Sequence, residues 1–178
     1  LKKNKILKII LMIKSIGFKD NDLFEKNNFN YLHYIFLIFY NNLKKEKKYK
    51  FPKNPFISVI VPTYNSEKTI IETLDSILNQ TYQNFEIILV DNSSDKKTIN
   101  LIKDKYKKNN KIKKIIVEKK ILSGEARNIG AKHTKNKTKF LAFCDADDVW
   151  KKDKLSYQIE QMEKNKSVLS CTNYDFYD

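Results

Sequence analysis

From Phe56 onward, short apolar runs rich in β-branched residues alternate with segments whose apolar residues recur at helical spacing. The runs predict five strands, at residues 56–61, 85–90, 112–117, 139–144 and 167–171. The segments between them predict helices with one apolar face each, formed by Ile70, Ile71, Leu74, Ile77 and Leu78, by Ile99, Ile102 and Tyr106, and by Leu155, Ile159 and Met162. This alternation predicts an α/β fold, a mostly parallel sheet flanked by helices.

Right-handed crossovers bring the carboxyl ends of parallel strands to one edge of the sheet. The loops that leave those ends gather there, and ligands of such folds bind at that edge. We therefore expect function in the loops that follow residues 61, 90, 117 and 144.

The first 43 residues lack this rhythm. Apolar residues at helical spacing among lysines predict a helix there, which either packs on the main domain or a partner, or lies on an anionic membrane surface. The prediction rests on Ile6, Ile9, Ile10 and Ile13. A charge run with Pro52 and Pro55 follows and predicts a boundary. We predict a basic helical extension at residues 1–50 and a domain at residues 51–178.

The charge is strongly basic but uneven. The net charge is +14, yet Arg127 is the only arginine, and residues 1–50 hold twelve lysines against four acidic residues. Abundant Lys, Asn and Ile are typical of AT-rich coding, so this charge is weak evidence for nucleic acid. Two distant cysteines indicate a reducing compartment.

Targeting signals are weak. The amino-terminal run resembles a signal peptide, but Lys8 and Lys14 interrupt its apolar stretch and no small-residue cleavage site follows, so we expect it to be retained. No run approaches the about 20 apolar residues that a spanning helix needs. We expect a cytoplasmic protein, with peripheral contact of residues 1–50 at the inner face of the cell membrane.

The loop after the first predicted strand joins an aromatic ring and polar side chains to the start of a helix. These groups suit a nucleobase and a phosphate or ribose. The alternative is local, with Asn65 or Ser66 as helix cap and Glu67 favouring the helix dipole. The loop consists of Pro62, Thr63, Tyr64, Asn65, Ser66 and Glu67.

The loop after the second strand begins with Asp91 and Asn92, whose side chains can bond the edge of a base or ribose, while Ser94 or Asp95 can cap the next helix. No GxGxxG or GxxxxGK[ST] pattern occurs, which argues against dinucleotide-binding dehydrogenases and P-loop NTPases. The second loop therefore offers polar side chains in place of a glycine-rich cradle.

The third segment places Arg127 in the first turn of a predicted helix that begins near Ser123. A cation opposes the helix dipole there, so a partner is expected, either a phosphate or the acids of the next loop. Those acids, Asp145, Asp147 and Asp148, follow a buried strand directly. Clustered carboxylates repel one another unless a cation compensates, and hard oxygen ligands suit Mg²⁺ or Mn²⁺.

Four segments in this order carry a resemblance, namely SVIVPTYNSEKTI, QTYQNFEIILVDNSS, SGEARNIGA and FLAFCDADDVW. Together they resemble glycosyltransferase family 2, inverting enzymes of GT-A (Rossmann-like) fold that use nucleotide-activated sugars. The resemblance covers about residues 56–178. Four motifs in matching order are far more specific than any one of them.

The resemblance implies a nucleotide-sugar site with one metal ligand. In this family an Asp-Asp pair after the second strand contacts the base, and in this chain that pair is Asp91-Asn92. Asn92 accepts a base N–H only through its amide oxygen. Asp145 is implied near the ribose, and Asp147 on the Mg²⁺ or Mn²⁺ that bridges the diphosphate. The implied nucleotide-sugar residues are Pro62, Thr63, Tyr64, Glu67, Asp91, Asn92, Arg127, Asn128, Asp145 and Ala146.

The implied reaction moves a sugar from a UDP-sugar to a hydroxyl of a glycan or glycolipid acceptor, with inversion, in cell-surface polysaccharide or glycolipid synthesis. The family's general base lies well downstream of the Asp-x-Asp motif and is expected beyond Asp178, so no catalytic residue is assigned. The chain is expected to hold the nucleotide-binding half. The alternative is a basic module that binds nucleic acid or membrane without transferase activity. If the chain is a transferase, no nucleic-acid partner is expected.

Overall fold

The computed structural model describes residues 8–10, 51–173 and 175, with side chains described from residue 51 onward. Five parallel strands form one sheet in the order β1-β5-β2-β3-β4. The strands are β1 (Lys8–Ile10), β2 (Phe56–Thr63), β3 (Phe85–Asp91), β4 (Ile112–Ile116) and β5 (Thr138–Phe143). The helices are α1 (Ile70–Leu78), α2 (Lys97–Lys105), α3 (Ser123–Lys132) and α4 (Lys154–Lys164).

A core cluster lies on each face of the sheet, because the side chains of each strand point alternately to one face and to the other. On one face Ile57, Val59 and Val61 of β2 join the apolar stripes of α1, α2 and α4 in one core cluster. On the other, Ile60 packs with residues of α3 in a second cluster. The predicted α/β architecture and the predicted buried helix faces are confirmed.

Helix α3 packs closely on the sheet because of a glycine. A Cβ atom added at Gly130 would lie 2.5 Å from Cγ2 of Ile60 and 3.3 Å from Cγ2 of Val90, closer than side chains pack. Gly124, one and a half turns earlier, has nothing within 4 Å of such a Cβ. The approach of α3 to β2 and β3 therefore depends on Gly130.

The helix predicted for the first residues is wrong at the three residues that the structure describes there. Lys8–Ile10 form β1, whose Ile9 and Ile10 are β-branched, and pair in parallel with Phe140–Ala142 of β5. An available sheet edge supplies hydrogen-bond partners that overrode the helical spacing. The rest of the predicted extension lies outside the described residues, and the boundary at residue 51 stays a prediction.

The strand predicted at residues 167–171 is also wrong. Helix α4 ends in a Schellman motif, with Lys166 in the left-handed region at φ 52°. The amide of the next residue, Ser167, donates to the carbonyl of Met162 at 2.9 Å. The segment then lies along α4, where Ser170 accepts a bond from Gln158. The edge of β5 pairs with β1, and the segment 167–171 pairs with no described strand.

A buried carboxylate lies at the amino ends of the strands, on the α3 face. Glu86 of β3 is 3% exposed, and its Oε1 accepts bonds from Ser58 Oγ at 2.8 Å and from the Lys135 amide at 3.0 Å. Its Oε2 lies 3.4 Å from the Lys135 ammonium, and Ser58 also bonds Thr138. The cluster ties β2, β3 and β5 together at their starts.

Candidate functional site

The loops predicted to carry function meet at the carboxyl edge of the sheet. The end of β2 and the loop after it contact the end of β3 and its loop, and the turn after β5 contacts both α1 and α3. Each contact joins residues far apart in sequence, because β2 lies between β3 and β5 in the sheet. The structure therefore brings together the segments that the sequence analysis singled out.

Asp91 anchors the first of these contacts. It is 2% exposed, and its Oδ1 accepts bonds from Thr63 Oγ1 at 2.9 Å and from Ser93 Oγ at 2.6 Å. The Ser93 hydroxyl in turn accepts the Asn65 amide at 3.0 Å. The carboxylate therefore fixes the two loops against each other.

Asn65 holds the turn after β2 in an unusual conformation. Its φ of 48° lies in the left-handed region, which Asn tolerates better than most residues. Its Oδ1 accepts bonds from the amide and hydroxyl of Ser94, at 2.9 and 3.1 Å. Helix α1 begins at Ile70 with Thr69 as cap residue, so the alternative of Asn65 or Ser66 as its cap is wrong.

The other predicted residues of this loop lie beside that turn. Tyr64 is 50% exposed, so its ring is open to a ligand. Pro62 and Glu67 are half-buried, and Glu67 accepts a weak bond from Thr98 Oγ1 at 3.4 Å. The loop thus presents one exposed aromatic ring next to a rigid backbone.

Asn92 does not face the open edge. It is 7% exposed, and its side chain bonds the backbone of residues 117, 119 and 121, in the loop that leads into α3. The predicted contact with a base stays a prediction, while the amide already has three backbone partners within the chain.

The turn Asp145-Ala146-Asp147 is fastened to α1 through its backbone. The carbonyl of Ala146 accepts bonds from Thr69 Oγ1 at 2.8 Å and from Thr73 Oγ1 at 2.9 Å. The Asp148 amide closes the turn on the carbonyl of Asp145 at 3.1 Å. Sequence reasoning missed both threonines, although their four-residue spacing places them on one helix face.

Arg127 pairs with Asp145. The two side chains form an ion pair with 17% and 36% of their surfaces exposed, and the guanidinium also donates to Ser123 Oγ at 3.3 Å. Of the two partners expected for Arg127, the structure shows the acid of the next loop. Asn128 is half-buried beside it, without a side-chain hydrogen bond to a described residue.

A cavity of about 570 Å³ opens between the loop after β2 and the turn after β5. Two of its residues, Lys68 and Asp147, are exposed and carry opposite charges, and neither has an ion-pair partner within the described part of the chain. Sequence reasoning missed Lys68. The cavity is lined by Asn65, Ser66, Glu67, Lys68, Thr69, Ala146 and Asp147.

The donor set of this cavity fits a shared metal site better than a closed one. Within residues 51–173 and 175, no group of three or more His, Cys, Asp or Glu could hold a metal ion. Mg²⁺ is commonly bound by one or two carboxylates and completed by water and substrate phosphates. Asp147 has the free hard oxygens that such an ion needs.

Cys144 lies directly before the acidic turn but is a packing residue. Burial raises the pKa of its thiol well above the usual value, and the charges of Asp148 and Asp145 raise it further. A thiol that stays protonated is a poor nucleophile and a poor metal ligand. The chemistry of this edge therefore belongs to the carboxylates.

Gln80 is another residue that sequence reasoning missed. It is 2% exposed; its amide donates to the Lys151 carbonyl at 2.8 Å and its Oε1 accepts the Leu155 amide at 3.0 Å. It thereby holds the segment between the acidic turn and α4 against α1. Only the contact itself identifies it, because an isolated Gln gives no sequence signal.

Comparison with protein families gives a match to the model described as "Glycosyl transferase family 2" over residues 58–178. An uncharacterized glycosyltransferase of Haemophilus influenzae is 37% identical over 124 residues, which are 70% of this chain and 49% of that protein. Escherichia coli WfaP, named as a UDP-Glc:alpha-D-GlcNAc-diphosphoundecaprenol beta-1,3-glucosyltransferase, is 39% identical over 66% of this chain and 45% of its own. The chain spans about half or less of these relatives.

Solved structures show the same fold. The crystal structure of S. aureus TarS in complex with UDP-GlcNAc has a TM-score of 0.56 and 33% identity, covering 62% of this chain and 32% of that one. A mannosyltransferase from Pyrobaculum calidifontis has a TM-score of 0.55 over 71% of this chain and 39% of its own, and at 24% identity it supports the fold alone. The predicted GT-A fold is confirmed.

None of the described helices has both the length and the apolar composition to cross a membrane.

Proposed function

The chain belongs to glycosyl transferase family 2, and from that premise we propose that its carboxyl-edge cavity binds the diphosphate of a nucleotide-sugar, with a UDP-sugar as donor. The observation that carries the proposal is the pair of unpaired opposite charges, Lys68 and Asp147, in one cavity of about 570 Å³. A diphosphate with a divalent cation has both complementary charges. The WfaP and TarS names, with UDP-Glc and UDP-GlcNAc, favour uridine.

The roles of the side chains at this edge of the sheet follow mainly from charge. Asp147 would hold Mg²⁺ or Mn²⁺, which when bound supplies positive charge for the leaving diphosphate. Lys68 contacts the phosphate oxygens directly, since an ammonium binds them as a point charge. Tyr64 offers its exposed ring to the base. Arg127 holds Asp145 so that this carboxylate faces the ribose.

The reaction we propose is transfer with inversion. An acceptor hydroxyl oxygen forms a bond to the anomeric carbon on the face opposite the diphosphate, the carbon–oxygen bond to the diphosphate breaks, and a carboxylate base takes the hydroxyl proton. That base is not assigned to a residue of this chain. The name of WfaP, with alpha-D-GlcNAc-diphosphoundecaprenol as acceptor, favours a glycolipid acceptor. We propose that the reaction serves cell-surface polysaccharide or glycolipid synthesis.

Calorimetric titration of UDP, GDP and CDP with and without Mn²⁺ tests the donor site. We expect metal-dependent binding that Asp147→Asn weakens at least about tenfold, or about 1.4 kcal/mol. Asp104→Asn, which removes an exposed carboxylate on α2, is the matched control and leaves affinity unchanged. Equal binding by the wild type and the Asp147 variant in Mn²⁺ would contradict the proposed role of Asp147.

The alternative function, a basic module that binds anions without nucleotide specificity, gives a different result. Its affinity would fall steeply with salt and would need no metal, because it depends on counterion release. Titration of the same nucleotides at two salt concentrations therefore separates the two functions. Metal dependence at the higher salt concentration favours the transferase site.

A further inference from the structure

The side chain of Asn92 is fully occupied by one loop. Its Nδ2 donates to the carbonyl of Val117 at 3.1 Å and to that of Lys119. Its Oδ1 accepts the Ile121 amide at 2.9 Å. The residue is 7% exposed, so these bonds are sheltered from water. One buried amide therefore fixes three points of the five-residue segment 117–121.

The backbone on either side of Asn92 strengthens the same junction. The Asn92 amide donates to the carbonyl of Thr63 in β2 at 3.0 Å, and the Val117 amide donates to the carbonyl of Asp91 at 2.8 Å. The junction thus joins the ends of β2 and β3 to the chain leaving β4. It lies beside the Asp91 carboxylate that fixes the loop after β2.

The bonding pattern selects the residue type at position 92. A primary amide combines two N–H donors with an oxygen acceptor, and this loop uses all three. An aspartate would keep the acceptor but turn its charge toward two carbonyl oxygens, while an alanine would leave three backbone groups unpaired. The asparagine found where the family has an aspartate is therefore the residue that this loop requires.

The segment held by Asn92 leads into the helix that carries Arg127. Ile121 packs partly buried against the core cluster on the α3 face, and the Lys119 ammonium lies 3.2 Å from the Glu125 carboxylate in the first turn of α3. Helix α3 then begins at Ser123, and Arg127 reaches Asp145. Displacement of the segment would move the start of α3 and with it this ion pair.

We infer that Asn92 is a positioning residue: it holds the segment 117–121 and the start of α3 at the nucleotide site, and its side chain does not read the base. The inference rests on the proposed nucleotide site, but the three side-chain hydrogen bonds of Asn92, here called the Asn92 clasp, exist without a nucleotide. Base discrimination then comes from other groups at the edge. Replacing Asn92 weakens the binding of all nucleotides by a similar factor and does not change the order of their affinities.

The wild-type chain offers a direct test. In the absence of nucleotide, the side-chain NH₂ protons of Asn92 and the Ile121 amide should be protected from hydrogen exchange in NMR spectra. Addition of UDP should leave the Asn92 side-chain signals in place. Rapid exchange of these protons without nucleotide, or a large shift of the Asn92 side chain on binding, would overturn the inference.

A variant separates positioning from base recognition. Asn92→Asp is compared with Asn100→Asp, which adds the same charge at an exposed position on α2. Hydrogen exchange of residues 117–121 without nucleotide, and dissociation constants for UDP, GDP and CDP, are measured well below the melting temperature. We expect at least about tenfold faster exchange and a uniform loss of affinity of about tenfold in Asn92→Asp, with no change in the control.

Each outcome is decisive. If Asn92→Asp changes the order of affinities for UDP, GDP and CDP while hydrogen exchange of residues 117–121 stays the same, the side chain contacts the base and the inference fails. A lowered melting temperature with unchanged dissociation constants means a purely structural role, and it fails as well. If Asn92→Asp does not fold, the wild-type NMR measurement decides. If wild type binds no nucleotide, the proposed function fails, while the exchange data still decide on the clasp.

Discussion

At the amino edge of the sheet Glu86 is 3% exposed and has partners on both oxygens, whereas at the carboxyl edge Asp147 is exposed and has no ion-pair partner among the described residues. A lysine accompanies each carboxylate: the Lys135 ammonium lies 3.4 Å from Glu86, and Lys68 lines the same cavity as Asp147. Each edge thus has a carboxylate and a lysine, but the carboxylate is buried and paired at the amino edge and, within the described part of the chain, exposed and unpaired at the carboxyl edge.

This contrast separates structural charge from functional charge in the chain. A carboxylate whose hydrogen bonds are complete has no capacity left for a ligand, and its loss leaves buried partners unpaired. An exposed carboxylate without a partner adds little to stability. A change at Glu86 should therefore alter folding, and a change at Asp147 should alter binding.

The largest effect is expected for Glu86→Ala. The hydroxyl of Ser58 and the amide of Lys135 lose their acceptor, and we expect a loss of about 3 kcal/mol in unfolding free energy, measured by urea denaturation. Glu160→Ala, an exposed acid of α4, is the control and should stay within about 0.5 kcal/mol of wild type. Wild-type stability of Glu86→Ala would show that the amino-edge cluster is not structural.

A smaller loss is expected for Gly130→Ala, in the helix that spans the two edges. The new Cβ would lie 2.5 Å from Cγ2 of Ile60, so α3 must shift, and we expect a loss of about 2 kcal/mol in the same denaturation experiment. Gly124→Ala makes the identical change where space is open and should stabilise α3 by up to about 1 kcal/mol. Equal effects of the two variants would contradict the close approach at Gly130.

At the carboxyl edge, Lys68→Met should alter binding but not folding. We expect about fivefold weaker UDP binding, or about 1 kcal/mol, because one charged contact to the diphosphate is lost. The melting temperature should not change, since Lys68 has no ion-pair partner among the described residues. Lys103→Met on α2 is the control. Loss of stability without loss of affinity would reverse the comparison.

The smallest effect concerns Tyr82, in the chain that leads to the amino edge. Burial raises its pKa from 10.0 to about 12, opposed by a hydrogen bond involving Asn84, and its hydroxyl donates to the carbonyl of Pro55. Above pH 10 the unfolded chain ionises first, so this contribution to stability is complete below pH 10 and is lost between pH 10 and about 12.

Denaturation at several pH values in that window measures this contribution. Tyr82→Phe should lose stability with pH less steeply than wild type, because it has no hydroxyl to ionise at this position. Tyr106, whose pKa is also raised, mainly by burial and also by a hydrogen bond to Asp75, titrates in both proteins. Parallel pH profiles of the two proteins would contradict the predicted contribution of Tyr82.

Much of the fold could be predicted from local pattern. The strands at β2, β3, β4 and β5 and the apolar helix stripes follow from periodicity, because side-chain direction repeats every two residues in a strand and about every 3.6 in a helix. The two errors, at Lys8–Ile10 and at residues 167–171, are both short apolar runs. Such runs form strands only where a sheet edge is available, which local pattern does not contain.

The amino-acid pattern alone was enough for the α/β class, the carboxyl edge as the place of function and the acidic turn at Asp145 and Asp147, since the alternation of strands and helices along the chain follows from residue periodicity. Which polar groups are already paired became visible only in the folded chain. Asn92 and Val117 are 25 residues apart, and Arg127 and Asp145 are 18 apart. Hydrogen bonds over such separations exist only after the strands have assembled, because packing, not local sequence, sets which backbone and side-chain groups meet.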